Sequence, residues 1–224
     1  MQAIATVCAN LTSLRLPKCK RLNDTAVAEI ALKNPFLSHL DLSGNRRMTD
    51  KAITTTAESC TSSLRYLNLT LCTRLTDKAL ICVSINCSAL FYLNLRSCRN
   101  FTDKAIVGIA MGCPNLRRIN CSGCDALSDV AVVALVKHCP LLAHVDLSYC
   151  KRISDRSIQA LATATHLTYL KLHKCTKGGN ITDVEIIKIA RKFAAFTGMT
   201  VVQCLASFMQ PPSHNSGNED EELC

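Results

Sequence analysis

The chain has 224 residues, of which 48% are hydrophobic but only 4% aromatic, with no Trp, and this composition favours narrow aliphatic layers over one large aromatic core. Its formal net charge is +9, and no run of about 18 apolar residues is available to cross a bilayer. The N-terminus also lacks the charged start and apolar stretch of a signal peptide. We therefore expect an intracellular protein of the cytoplasm, cytoskeleton or nucleus.

One sequence pattern recurs along nearly the whole chain. Its first apolar residue returns at intervals of 25 to 27 residues, at Leu11, Leu37, Leu64, Leu90, Leu116, Leu142 and Leu167. A fixed period in this range is typical of stacked-repeat proteins. The pattern predicts a partial N-terminal repeat with a helix remnant in residues 1–10 and seven repeats in residues 11–195. A partial eighth repeat or C-terminal cap follows in residues 196–209, its strand near Met199 to Val201, and residues 210–224 form an acidic tail that we expect to be disordered.

The hydrophobic period changes within each repeat, and the change separates a strand from a helix. In the fourth repeat Leu93 and Leu95 flank a polar residue, as in a strand with one buried face. Apolar residues from Ala105 to Cys113 then follow helical spacing. A short oxygen side chain followed by Asp, mostly Thr-Asp or Ser-Asp, starts each helix, because the short side chain satisfies free N–H groups of the first turn and an acid suits the positive helix end. On these grounds we predict a structural role at the helix starts for Asp24, Asp50, Asp77, Asp103, Asp129, Asp155 and Asp183.

Leu, Cys, Thr-Asp, Ala-Ile and Cys-Pro recur together at fixed offsets from Ile4 to Cys204. In this the chain resembles the cysteine-containing leucine-rich repeats of F-box proteins and of the antagonist of the mitotic exit network. The resemblance implies an α/β fold: a leucine-rich-repeat solenoid, or horseshoe, of about 7–8 repeats, with a parallel sheet on the concave face and helices on the convex face. Asn45 stands where the other repeats have Cys, and Asn is the alternative residue at this position in such repeats.

The resemblance also implies a non-enzymatic module that binds a protein partner, as the substrate-recognition part of an SCF-type ubiquitin ligase. Skp1 and a cullin are partners only if an F-box lies outside this chain. A second possibility is a structural subunit of a large axonemal or cytoskeletal assembly, held by its edges and basic rim.

Most of the fifteen cysteines are expected to be buried and reduced, because they occupy fixed repeat positions whose geometry does not suit disulfides, whereas Cys82 and Cys224 are expected to be exposed. Cys121 and Cys124 form one metal-like pair without a matching second pair, so no metal site is expected. No His lies in a motif with a nucleophile, and Gly178-Gly179 lacks the rest of a phosphate-binding loop. We expect neither an enzyme nor a cofactor.

The outward positions of the strands vary from repeat to repeat, and specificity is expected there. Partner-binding candidates on the concave face are His39, Tyr66, Asn68, Tyr92, Asn94, Arg96, Arg118, Asn120, His144, Asp146, Tyr169 and Lys171. Tyr is favoured at binding surfaces because it buries area while it keeps a polar tip. The alternative is that these residues only cover the sheet.

Half of the 26 cations fall in or just after the turns that follow the strands, and we call this set the basic rim. Its members are Lys20, Arg21, Arg46, Arg47, Lys51, Arg74, Lys78, Arg99, Lys104, Lys151, Arg152, Arg156 and Lys177. Such a stripe could attract an acidic protein partner or the chain's own acidic tail, or it could be a solvated surface. Nucleic acid is not expected, because recognition motifs and stacking aromatic residues are missing from the rim.

Overall fold

The computed structural model describes residue 8 and residues 10–175 and 180–211. In this part of the chain seven three-residue strands alternate with helices. The strands are β1 (Ser13–Arg15), β2 (His39–Asp41), β3 (Tyr66–Asn68), β4 (Tyr92–Asn94), β5 (Arg118–Asn120), β6 (His144–Asp146) and β7 (Tyr169–Lys171). The helices are α1 (Asp24–Lys33), α2 (Asp50–Ser59), α3 (Asp77–Asn86), α4 (Asp103–Gly112), α5 (Asp129–His138), α6 (Asp155–Thr163), α7 (Asp183–Thr197) and α8 (Val201–Met209).

All seven strands form one parallel sheet in chain order, each paired with the strand of the next repeat. The register matches equivalent repeat positions, so that Leu40 lies beside Leu67 and Leu67 beside Leu93. Consecutive helices pack side by side behind the sheet. Because packed helices are about 8–10 Å apart and paired strands about 4.8 Å, the stack curves with the sheet inside. The predicted α/β leucine-rich-repeat solenoid is confirmed.

The core is a row of aliphatic layers, one for each repeat. In the fourth layer Leu93 and Leu95, the turn residue Phe101, and Ile106 and Ile109 of α4 are all fully buried. Each such side chain contributes about 1.5–3 kcal/mol through removal from water. The layers merge into one continuous cluster along the molecule, so each repeat buries its apolar surface against its neighbours.

The helix starts follow the sequence prediction and show one contact that it did not include. The cap is the residue before each Asp: Thr102 Oγ1, for example, accepts a hydrogen bond from Lys104 N at 3.3 Å. The Asp103 carboxylate reaches instead to the next repeat, where it accepts Ser128 N at 2.8 Å and Ser128 Oγ at 2.6 Å. Asp103 thus begins its helix as predicted and also satisfies donors of the following helix start.

This contact recurs at six successive repeat interfaces, and we call it the acid ladder. Its rungs are Asp24–Thr49, Asp50–Thr76, Asp77–Thr102, Asp103–Ser128, Asp129–Ser154 and Asp155–Thr182. Each rung joins one carboxylate to a backbone N–H and a hydroxyl about 25 residues further along the chain.

The turn cysteines also link successive repeats. Five of their thiols donate to a backbone carbonyl of the preceding repeat, in the pairs Cys72–Leu42, Cys98–Leu69, Cys124–Leu95, Cys150–Cys121 and Cys175–Leu147 at 2.9–3.2 Å. Asn45 Nδ2 makes the same kind of bond to Leu16 O at 2.8 Å. Asn and Cys are interchangeable here because both donate to that carbonyl. The thiols are therefore hydrogen-bond donors as well as small apolar groups.

All described cysteines are free thiols. Burial raises the pKa of Cys72 and Cys175 to about 12 and that of Cys139 to about 11. These groups consequently stay protonated, as donors, at neutral pH.

The strand expected near Met199 to Val201 is not formed, and a helix takes its place. Helix α7 ends at Gly198, which has a φ of 70°, and Thr200 with Gln203 forms a reciprocal capping box that starts α8. Cys204 and Phe208 are buried. Phe208 O accepts a hydrogen bond at 2.8 Å from the backbone N–H of Leu172, the first residue after β7. The predicted partial repeat is therefore a helical cap over the last strand.

Two sequence predictions lie largely outside the described residues: the helix remnant in residues 1–10 and the acidic tail in residues 210–224. In the described part of the chain, no helix combines the length and the apolar character that a membrane crossing requires.

Candidate partner-binding surface

A strip of planar side chains runs across the concave face. His39 stacks on Tyr66 with ring centroids 5.8 Å apart, and Tyr66 stacks on Tyr92 at 4.2 Å with an interplanar angle of 6°. In-register parallel strands about 4.8 Å apart place equivalent side chains at stacking distance. The strip continues through Arg118, which is in register with Tyr92 on one side and His144 on the other.

At the C-terminal end of the strip His144 stacks on Tyr169 at 5.3 Å, and the Lys171 ammonium lies 5.4 Å from the Tyr169 ring centroid. Tyr92 is only 9% exposed, whereas the other residues of the strip are half-buried. The strip thus presents ring faces and edges together with charged groups, and the buried Tyr92 stacks against its more exposed neighbour Tyr66.

The neighbouring column of Asn and Asp residues, at the end of each strand, has a structural role. Asn94 is 1% exposed; its Oδ1 accepts Arg96 N at 3.0 Å and its Nδ2 donates to Tyr92 Oη at 3.1 Å. Asn68 and Asp146 are buried too and accept the backbone N–H two residues on. These side chains close the turn after the strand. Burial leaves Asn68, Asn94 and Asp146 little surface to offer a partner, whereas Asn120, whose side chain also accepts Ser122 N at 2.9 Å, is half-exposed.

The structure adds residues that the sequence reasoning missed. Arg65 and Arg117 are exposed, and the Arg117 guanidinium lies 5.5 Å from the ring centroid of the half-buried Phe91. Arg65, Phe91 and Arg117 each lie one residue before the strip residue of their strand. The residue at this position varies between repeats, and the sequence shows it as Thr12, Ser38, Arg65, Phe91, Arg117, Ala143 and Thr168. They widen the candidate surface by one row.

The charge of this face is mainly positive, and its histidines stay neutral. Burial lowers the pKa of His144 to about 4, and the Arg118 guanidinium adds to the effect. Burial also lowers the pKa of His39, together with the charges of Arg15 and Arg65. His144 Nδ1 is buried without a hydrogen-bond partner among the described residues. The face therefore offers cations and uncharged rings at neutral pH.

The twelve described cations of the basic rim are all exposed, and Lys177 lies outside the described residues. A cleft of about 470 Å³ lies at the N-terminal end of the rim, where Lys18, Lys20, Arg46 and Arg47 contribute to its lining. A second cleft, of about 310 Å³, lies further along. Its lining includes Arg96, Arg99, Ser122, Asp125, Tyr149 and Lys151. We call the second one the rim cleft.

In the described residues, no group of three or more His, Cys, Asp or Glu side chains is placed to hold a metal ion. Cys121 and Cys124 are both buried, and a hydrogen bond between their side chains, together with burial, raises the pKa of Cys121. Their thiols take part in the packing of the fifth layer.

A family model described as "Leucine Rich repeat" matches residues 33–54, 62–84 and 138–162. Among curated proteins, none matches the chain by sequence. Seventy-two chains of solved structures match it. One is a chain from the crystal structure of the Rad7 and Elc1 complex in yeast, with a TM-score of 0.65 and 23% sequence identity. The match covers 72% of this chain and 41% of that one, and at this identity the likeness is one of fold.

Proposed function

We propose that the chain is a non-enzymatic interaction module that holds a protein partner on its concave face. One observation carries the proposal: the strip from His39 to Tyr169 lines up stacked rings with Arg118 among them on an outward face. Flat aromatic groups favour apolar and planar side chains, and a guanidinium favours a carboxylate. The partner segment is therefore expected to combine apolar or aromatic residues with Asp or Glu.

A finer proposal is that the partner is a substrate that the chain presents to an SCF-type ubiquitin ligase. It is supported by the resemblance of the repeats to the cysteine-containing type of F-box proteins. The chain of the same fold in the yeast Rad7 and Elc1 complex supports only the coarser proposal of a protein-interaction module. Skp1 and a cullin would then be recovered with a full-length protein that contains an F-box.

The test is affinity purification with charge reversals on opposite faces. Arg118→Glu with Lys171→Glu alters the concave face, and Lys33→Glu with Lys137→Glu makes the same charge change on exposed helix positions. We expect the first pair to lower partner recovery at least about 10-fold, since disrupted interfacial charge pairs cost 2–5 kcal/mol or more, and the second pair to leave it unchanged. Equal recovery with both variants would refute the concave proposal.

One observation favours the second candidate, a structural subunit of a larger assembly. Ile85 and Met111 occupy equivalent positions at the ends of α3 and α4 and are 75% and 66% exposed. Large apolar side chains that neighbour each other on a surface are typical of interaction sites. If this candidate is right, the chain is purified as part of a stoichiometric, salt-resistant assembly that contains neither Skp1 nor a cullin. The double variant Ile85→Asp with Met111→Asp should be lost from that assembly, whereas Arg118→Glu should remain in it.

A further inference from the structure

The rim cleft is a cationic site beside the end of the described chain. Arg96, Arg99 and Lys151 line it with one acid, Asp125. The Arg99–Asp125 pair is 3.8 Å apart with side chains 75% and 44% exposed, so this ion pair is weak and leaves the cleft with net positive charge. The site suits a short acidic segment.

The aromatic wall of the cleft adds a contact surface. Tyr149 has a φ of 64°, a conformation that side-chain-bearing residues seldom adopt. Its ring packs edge-on against His173 at 5.2 Å, and the Lys174 ammonium lies 5.3 Å from its centroid. Tyr149 and Lys174 thus extend the cationic and aromatic surface from the cleft towards the last repeat.

The chain leaves the solenoid next to this surface. Met209 O is 2.6 Å from His173 Nδ1, which places the end of α8 just after β7, on the rim. The cleft is lined by residues that follow β4, β5 and β6, one to three strand spacings away, or roughly 5–15 Å at about 4.8 Å per spacing.

Four consecutive acids lie eight to eleven residues beyond Pro211, at Glu219, Asp220, Glu221 and Glu222. A flexible segment of eight residues has a root-mean-square span of about 16 Å, which matches the distance to the rim cleft. The N-terminal cleft at Lys20 and Arg46 is five to six strand spacings away, about 25–30 Å, and is thus sampled much less often.

We propose that Glu219, Asp220, Glu221 and Glu222 bind in the rim cleft and compete there with acidic partners. A tether of this length gives the acids an effective concentration in the millimolar range at the cleft. At this concentration the acids occupy the cleft for much of the time even if each charge contact is weak. An acidic segment of another protein must then displace the tail before it can bind in the cleft. Arg96 lines the cleft and is also a concave-face candidate, but the proposal does not depend on a partner being bound to the strip from His39 to Tyr169.

The first test is carbodiimide cross-linking of the wild-type full chain, which joins carboxylates to lysine amines. We expect peptides that link residues 219–222 to Lys151 or Lys174 at least about 5-fold more often than to Lys20, because the local concentration of the acids falls with distance. A mixture of ¹⁵N-labelled and unlabelled chains shows whether each link lies within one chain. Equal yields at Lys20 and Lys151, or links mainly between chains, would overturn the proposal.

The second test uses a fluorescent peptide of residues 212–224 as a probe. A full chain with Glu219→Gln, Asp220→Asn, Glu221→Gln and Glu222→Gln should bind the peptide at least about 5-fold more tightly than wild type, because its own tail no longer competes. In the same neutralised chain, Arg99→Glu should weaken binding and Arg46→Glu should not. Equal affinities of wild type and neutralised chain, or equal effects of the two Arg changes, would contradict the proposal.

Discussion

Two columns of side chains run the length of the solenoid and differ in what they touch. In the acid ladder almost the same residues return in every repeat, and each carboxylate accepts two donors of the next repeat, as Asp103 does from Ser128. On the concave strip the residue type changes from His to Tyr to Arg, and neighbours meet through ring faces, as Tyr66 and Tyr92 do.

The difference follows from what each column has to satisfy. In every rung a helix-start N–H and hydroxyl face the carboxylate of the preceding repeat, and hydrogen bonds to a charged group contribute about 1.5–3 kcal/mol. Where the side chain points away from the backbone, the fold does not prescribe the residue type. We therefore expect side chains in the ladder to serve stability, and recognition stays the proposed role of the strip.

The largest effect is expected from breaking one rung of the ladder. Asp103→Ala leaves the N–H and the hydroxyl of Ser128 without their acceptor and should lower the free energy of unfolding by about 2–4 kcal/mol. Asp183 is the matched control, since it starts α7 at the same position but is exposed and bonds no following repeat in the described chain. Asp183→Ala should cost less than about 1 kcal/mol. Urea denaturation measures both, and equal losses would contradict a role between repeats.

A smaller loss is expected from the turn cysteines. Cys98→Ala removes the thiol that donates to Leu69 O at 3.0 Å and leaves a small cavity, so the free energy of unfolding should fall by about 1–2 kcal/mol. Cys82 is half-exposed, and its closest carbonyl contact is 3.7 Å. Cys82→Ala should change stability by less than about 0.5 kcal/mol. If both variants unfolded at the wild-type urea concentration, the Cys98 thiol would contribute neither its hydrogen bond nor its packing to stability, and the prediction would be wrong.

The pH dependence offers a subtler test, on the strip itself. The pKa of His144 is lowered to about 4 from an ordinary 6.5, mainly by burial and further by Arg118. Below pH 6.5 the unfolded chain therefore takes up the proton first, and the free energy of unfolding falls as the pH drops from about 6.5 to 4. His144→Gln should flatten this decline, while the exposed His166→Gln should not. An unchanged slope in His144→Gln would mean that the decline has another source.

The smallest change in stability is expected on the outward face. Arg118→Ala and Lys171→Ala should each shift the free energy of unfolding by less than about 0.5 kcal/mol, the usual effect of surface substitutions, although both residues belong to the proposed binding surface. Thermal unfolding of each variant checks this. A loss as large as that of Asp103→Ala would erase the distinction between the strip and the ladder and assign the strip a structural role.

The repeat period predicted most of the fold from the sequence. The change from strand to helix spacing within 26 residues marked the positions of the described strands and of seven helices. The last helix was missed, because Met199, Val201 and Cys204 fit the repeat pattern. Gly198 ends one helix there, and the Thr200–Gln203 capping box starts the next. In that helix Phe208 is buried and packs against Phe193, with ring centroids 5.0 Å apart.

The candidate surface was predicted less completely, since its contacts join residues about 26 positions apart. The sequence showed that Asn94 points outward, but its burial depends on Tyr92 and on the flanking strands. Likewise Asp103 was recognised as a helix-start residue, while its partner Ser128 belongs to the next repeat. Local rules find an element and its ends, whereas the partner of a side chain depends on how the repeats are stacked.

The acid ladder also determines how much of the molecule unfolds together. In a solenoid each repeat contacts only its neighbours, and the interface between two repeats determines how strongly their unfolding is linked. Six successive interfaces of this chain include a hydrogen-bonded carboxylate of the acid ladder. The rung between Asp155 and Thr182 extends this coupling across residues 176–179 to the last repeat. With all rungs intact, we expect the array to unfold as one block. A partner spread over several strands then meets a rigid platform and loses little of its binding energy to ordering the repeats.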